Sequence, residues 1–156
     1  MTVAVLDSTF RLDSGRHALV ANTGVGEVFF RVYDGRLRVN VEAYTVRCVD
    51  YQAIGDYGDD GVFRVHSVKK TDWTQPKRDA TKAVHRTISE EIKGLLEAAL
   101  EAGHIRRLER AADEWHAQDK LKRLERERVD LLKQLADLEA EHATTRAHLA
   151  QLQETT

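Results

Sequence analysis

Apolar and polar side chains alternate along residues 28–43. Val28, Phe30 and Val32 interleave with Phe29, Arg31 and Tyr33; after Asp34-Gly35, Leu37, Val39, Val41 and Ala43 interleave with Arg36, Arg38, Asn40 and Glu42. A period of two puts each set on its own face of a strand. Asp-Gly is favoured in two-residue hairpin turns because both central positions need positive φ. The pattern therefore predicts an antiparallel hairpin with one dry and one wet face. The phase blurs over residues 44–51, which predicts a bulge or bend. Residues 54–61 (IGDYGDDG) read as a loop and 62–68 as a last strand, while short runs at 3–6 and 17–21 could supply one or two more. The expected N-terminal structure is a small antiparallel sheet or partial barrel of about four to six strands.

The period changes after Trp73. Thr74-Gln75-Pro76 predicts a helix start, since proline at the first helical position sacrifices no hydrogen bond. Val84, Ile88, Ile92, Leu95 and Ala99 then recur every three or four residues, an amphipathic helix over 77–102 with Gly103 as its stop or a kink. No proline follows Pro76, so helix is permitted from there to the end.

From Leu121 the pattern becomes heptad. With Leu121 at a, the a and d positions are Leu121, Leu124, Arg128, Leu131, Leu135, Leu138, His142, Thr145, Leu149 and Leu152, seven leucines in ten. A seam sustained for this length is a coiled-coil signature. The helix would be roughly 50 Å long, too long to bury its stripe on a small head, and so calls for a partner helix. Folding back onto the 77–102 helix is the alternative, but that helix is shorter. Ile105, Leu108, Ala112 and Trp115 form a separate stripe, rotated well over 90° from the leucine seam at about 100° per residue. Residues 104–116 are thus expected to pack on the head or on the preceding helix, unless the helix breaks near Gln118-Asp119. The overall expectation is an α+β chain with a β-rich head at 1–73, a helical packing segment at 74–117 and a coiled-coil helix at 118–156.

Composition narrows the function classes. Net charge is -2, with no polyelectrolyte signature for nucleic acid or acidic membrane. Residues 1–88 carry a net +2 and 89–156 a net -4, mild enough for ordinary surface variation. The single cysteine, Cys48, cannot pair internally, which suits a reducing compartment. The N-terminus has neither the basic region nor the apolar core of a signal peptide, and no stretch reaches the roughly 18 apolar residues that span a bilayer. A cytoplasmic chain is expected. Arginine outnumbers lysine 16 to 8 and alanine and valine are common; the composition resembles that of chains from GC-rich bacteria and their phages, a hint of phage or mobile-element origin.

The residues that could carry chemistry are few. Seven histidines occur, none at the i, i+4 spacing of a helical metal site and none beside a CxxC. His142 falls on the seam, where a polar residue tunes register or strand number. Cys48, between Arg47 and Val49 of a predicted strand, reads as a buried structural thiol, since a nucleophilic thiolate needs a base and an exposed electropositive site. Asp56, Asp59 and Asp60 cluster in one loop without the EF-hand spacing. Phosphate-loop, dinucleotide and nucleophile-elbow motifs are absent. These points predict no enzyme, no cofactor and no metal. The candidate nucleic-acid residues are Arg31, Arg36 and Arg38 on the hairpin, with Lys69 and Lys70; Arg47 and Arg64 lie on neighbouring strands, and Phe29, Tyr33 and Tyr44 nearby could stack bases. Interleaved acids argue instead for a solvated, ion-paired surface, and the tail lacks the dense basic region of a zipper-type DNA binder.

The leading expectation is a non-enzymatic interaction or regulatory protein that binds a protein partner or self-associates through Leu121, Leu124, Leu131, Leu135, Leu138, His142, Leu149 and Leu152. The alternative is a nucleic-acid-binding regulator using the arginine face. Leucine at both a and d leaves strand number open, and Leu132 and Val129 widen the apolar face. Glu125, Glu127, Glu139 and Glu141 at e and g, with few compensating bases, are expected to repel one another in a parallel homodimer, which favours a basic partner helix or an antiparallel arrangement.

Overall fold

The computed structural model describes residues 2–47, 49–71 and 78–155, the side chains of residues 42 and 43 excepted. The chain is α+β, an antiparallel sheet followed by two helices. Seven strands form an open meander in sequence order: β1 (Val3–Val5), β2 (Phe10–Asp13), β3 (Ala18–Asn22), β4 (Gly26–Tyr33), β5 (Arg36–Val46), β6 (Val49–Tyr57) and β7 (Phe63–Lys70). Helix α1 runs Lys82–Glu101 and α2 runs His104–Glu154. Contacts divide the chain into two compact units, Met1–Trp115 and His116–Thr156. No helix among the described residues is long and apolar enough to cross a membrane.

The β4–β5 hairpin has the expected turn. Tyr33 pairs with Arg36, and Asp34 and Gly35 take φ of 50° and 74°, the doubly positive pair whose twist matches the flanking strands. The blurred phase after Val41 is a register shift between Val41 and Tyr44 in the β5–β6 pairing, and it turns the Tyr44 ring into the core at 2% exposure. The loop expected at 54–61 is shorter, because β6 continues to Tyr57. Gly55 permits this: a Cβ there would lie 2.9 Å from the Arg64 carbonyl oxygen, so only glycine lets β7 approach so closely. The sheet has seven strands against about four to six expected: β1 and β3 fall on the short runs at 3–6 and 17–21, and β2 between them was not foreseen. In β2, FRLD, only Phe10 is fully buried, so its apolar alternation is weak.

One sheet face carries the core. Phe10, Leu19, Ala21, Val28, Phe30, Val39, Val41 and Tyr44 pack with Ile88, Ile92, Leu96 and Ala99 of α1 and with Ile105 and Leu108 of α2. Those α1 residues recur at helical spacing, which is why one stripe of the helix can cover the sheet. The helix begins at Lys82, later than position 77, with the Thr81 hydroxyl accepting the Val84 N–H as cap; the Thr74-Gln75-Pro76 start lies outside the described residues, as does Cys48. The His85 ring Nε2 donates to the Val65 carbonyl at 2.9 Å, fixing α1 to β7. Gly103, at φ 74°, separates the two helices. Beyond it α2 continues without the break considered at Gln118-Asp119.

Candidate functional site

Residues 105–115 of α2 belong to the folded unit. Ile105 and Leu108 are buried, Trp115 packs against the core, and the His17 ring stacks on Trp115 with centroids 5.2 Å apart and planes 8° apart. The stripe set apart from the leucines by its angle is therefore occupied. From His116 onward every described residue is exposed. Leu121, Leu131, Leu135, Leu138, Leu149 and Leu152 are each 52–63% exposed and Leu124 is 47% exposed. Val129 and Leu132 add 64% and 55%. Arg128, His142 and Thr145 interrupt the same row and are equally open. Within this unit Arg123 Nε lies 3.9 Å from Glu127 Oε1, and the Thr144 hydroxyl donates to the Ala140 carbonyl, both one helical turn away.

The arginine candidates map onto the other sheet face. Arg31 of β4 stands directly opposite Arg38 of β5; Arg38 in turn faces Asp56 of β6, and Asp56 faces Arg64 of β7. Like charges directly across strands are unfavourable. Among the described residues neither Arg31 nor Arg38 forms an ion pair, whereas their neighbours do. Arg11 meets Glu27 at 2.9 Å, Arg16 meets Glu27 at 3.2 Å, Arg36 meets Asp59 at 3.3 Å and Arg64 meets Asp60 at 2.6 Å. The Asp56 carboxylate is taken by the His66 ring. The Arg64 guanidinium, helped by the Val62 N–H, holds the Asp60 carboxyl down at about 2.

This face is more apolar than strict alternation implies. Phe29 is 2% exposed and clusters with Ala18 and Val20. The guanidiniums of Arg16 and Arg31 cover its ring at 5.1 and 5.0 Å, and Arg38 lies 5.3 Å from the Tyr33 ring centroid. Such cation–aromatic contacts orient the cations without neutralising them. Arg31 Nε also donates to the Arg16 carbonyl at 3.2 Å. Lys69 shares the open face but pairs with Gln52, about 16 Å from Arg38 by strand spacing. Lys70, one residue on, falls on the opposite face and donates its backbone N–H to the Arg78 carbonyl. Arg47 occupies a turn at φ 49°. The structure thus brings Arg31 and Arg38 together with Arg16, which sequence reasoning did not single out. It separates Lys69 and Lys70 from them, and the bulge removes Tyr44 from the face.

A second arrangement joins residues far apart in sequence. Asp7, in the β1–β2 turn, accepts the Thr9 and Phe10 N–H groups through Oδ1, each at 2.7 Å. Its Oδ2 lies 2.7 Å from His104 Nε2. The His104 contact is the largest influence, followed by the two backbone donors, and together they hold the Asp7 carboxyl at about 2. His104 is 5% exposed, its ring 5.3 Å from Phe10. Its Nδ1 is buried with no hydrogen-bond partner among the described residues. An Asp–His pair can activate a nucleophile only if the second ring nitrogen is reachable; here that nitrogen is enclosed, so the pair ties the first turn of α2 to the sheet. No pattern in sequence marks a contact across 97 positions.

A shallow depression of about 470 Å³ lies where Arg36, Leu37, Tyr57 and Asp59 meet Leu100 and Ile105. Its titratable lining residues are Arg36, Tyr57, Asp59 and Glu109, and of these Arg36 and Asp59 are ion-paired. Among the described residues no group of three or more His, Cys, Asp or Glu is placed to hold a metal ion. Comparison of the chain with protein-family models, with curated proteins and with solved structures finds no match.

Proposed function

We propose that this chain is a non-enzymatic interaction protein whose leucine seam, residues 121–152, associates with another helix in a coiled coil and so joins the folded head to a partner. The observation that carries this reading is the contrast within α2. One stripe is buried in the head by Ile105 and Leu108, while seven leucines on another stripe stay 47–63% exposed along an uninterrupted helix. Burying a leucine that is left in water is worth about 1.5–3 kcal/mol, so a row of them is a strong drive to association. An apolar stripe of this extent on a lone chain would also be an aggregation hazard. Light scattering coupled to size exclusion tests the reading on the full chain and on a chain ending near Asp119, which keeps the compact unit intact. The full chain is expected to be oligomeric and the shortened one monomeric. Two monomers would end the reading.

A second reading rests on a separate observation, the Arg31–Arg38 pair that has no ion-pair partner among the described residues. Opposed guanidiniums on an exposed sheet face, with Tyr33 beside them, suit an oxyanion such as the phosphate of single-stranded nucleic acid. Fluorescence anisotropy with a labelled oligonucleotide tests it: log affinity should fall linearly with log salt, and absence of binding at low salt would remove it. In both readings the head is a recognition module and the chain works by binding.

A further inference from the structure

We infer that the helix seated on this seam belongs to a second copy of the same chain, aligned parallel and in register. The inference rests on the seam reading above and goes beyond it in naming the occupant, the direction and the register.

The acidic residues at e and g look prohibitive as a total, but they act pair by pair. In a parallel two-stranded coiled coil a g residue faces the e residue five positions later on its partner. Helix α2 is continuous through Lys120, so the pairs can be read from there. Lys120 faces Glu125 and Glu141 faces Arg146, both attractive. Glu127 faces Leu132, Gln134 faces Glu139 and His148 faces Gln153, none of them a clash of like charges. By symmetry each attractive pair occurs twice. No acid of either helix faces an acid of the other.

The core layers decide direction. In register and parallel, Arg128 meets Arg128, His142 meets His142 and Thr145 meets Thr145, so every polar residue of the seam shares a layer with a polar residue. All seven leucines then meet leucines. The hole that receives an a residue includes the preceding g residue of the partner, and the two charged or titratable a residues are each preceded by an acid, in Glu127-Arg128 and Glu141-His142. Each Arg128 guanidinium therefore has a carboxylate of the other helix within reach of its flexible stem. An antiparallel pair with full overlap sets Leu121 against Leu152. It also forms attractive contacts, between Glu125 and Arg146, but it presses Leu131 against His142 and leaves Arg128 opposite Thr145. A parallel slip of one heptad sets Arg128 against Leu121 or Leu135 and unpairs leucines at both ends. Two strands are favoured over three or four because Arg128 can reach water from the a position of a dimer, whereas larger bundles converge more guanidiniums on one axis.

The test uses the full chain with Cys48→Ser to leave a single engineered thiol. Leu124→Cys is oxidised in a glutathione buffer, alone and mixed with a chain carrying Leu149→Cys. The parallel dimer sets like positions at a Cα separation of ~6 Å, within disulfide range, and the mixed pair roughly 37 Å apart along the helix. Self-linkage of Leu124→Cys is therefore expected on the order of ten-fold faster than mixed linkage, at a light-scattering mass of twice 17.7 kDa. Leu152→Cys, near the helix end, gives the same self-linkage if loss of Leu124 weakens the association. Faster mixed linkage, or a trimeric or tetrameric mass, would overturn the inference while leaving the seam reading standing. A monomeric parent chain would overturn both.

Discussion

At the scale of single residues, Asp7 shows how a polar side chain can hold a fold together. Its carboxylate accepts from Thr9, Phe10 and His104, and its folded pKa of about 2 lies below the ordinary 3.8. The folded state thus prefers the charged form. That preference stabilises the fold fully above the unfolded value and is lost as pH falls through 3.8 toward 2. Asp7→Asn should therefore lower the Tm at neutral pH by several degrees, with the gap closing as pH approaches 2; scanning calorimetry from pH 7 to pH 2 measures it. A gap that persists unchanged at pH 2 would show that the charge is not what matters. Arg38 offers the opposite case. Replacing it with glutamine removes one of two opposed like charges, so stability should stay within about 0.5 kcal/mol of the parent, while affinity for a labelled oligonucleotide should fall. A large loss of stability with unchanged affinity would argue that the pair is structural. Sequence alternation placed Arg31 and Arg38 on one face. It could not place Arg16, whose position depends on the turn before β3 and on an aromatic ring that alternation assigned to water.

At the scale of elements, what was legible followed the strength of the period. The β4–β5 hairpin was readable because residues 28–33 alternate up to an Asp-Gly turn, and helix α2 was readable because no proline interrupts it and its leucines recur every three or four residues. Strand β2 was missed because four residues with one fully buried side chain give no period. The end of β6 was misplaced because three glycines and three acids between positions 55 and 61 look like a loop, although Gly55 serves close strand packing. Helix α1 is held by packing more than by its caps, since Ile88 and Ile92 are fully buried beneath it and short helices are marginal alone. Ile92→Ala should destabilise the head by about 2–5 kcal/mol, read from urea unfolding. Leu138→Ala, on the exposed seam, should leave the head's unfolding free energy unchanged and weaken only the association. Equal effects on the head would contradict the division of α2 into a packed and an open part.

At the scale of the whole molecule, one helix serves two purposes by presenting two stripes. The Ile105, Leu108 and Trp115 stripe completes the core of the head, and the leucine stripe is exposed. A seam with a 3.5-residue period drifts by about 20° per heptad around a straight helix, so the tail is expected to supercoil once paired. On the proposed reading, the chain works through what paired heads recognise, with the Arg31–Arg38 row as the candidate surface. The central claim is that the leucine seam brings two chains together. Sedimentation equilibrium at neutral pH tests it most directly, on the parent chain and on one carrying Leu131→Asp and Leu138→Asp. The account expects the parent at twice 17.7 kDa and the double variant at 17.7 kDa with its head still folded; a parent chain that sediments at 17.7 kDa at tens of micromolar would contradict it.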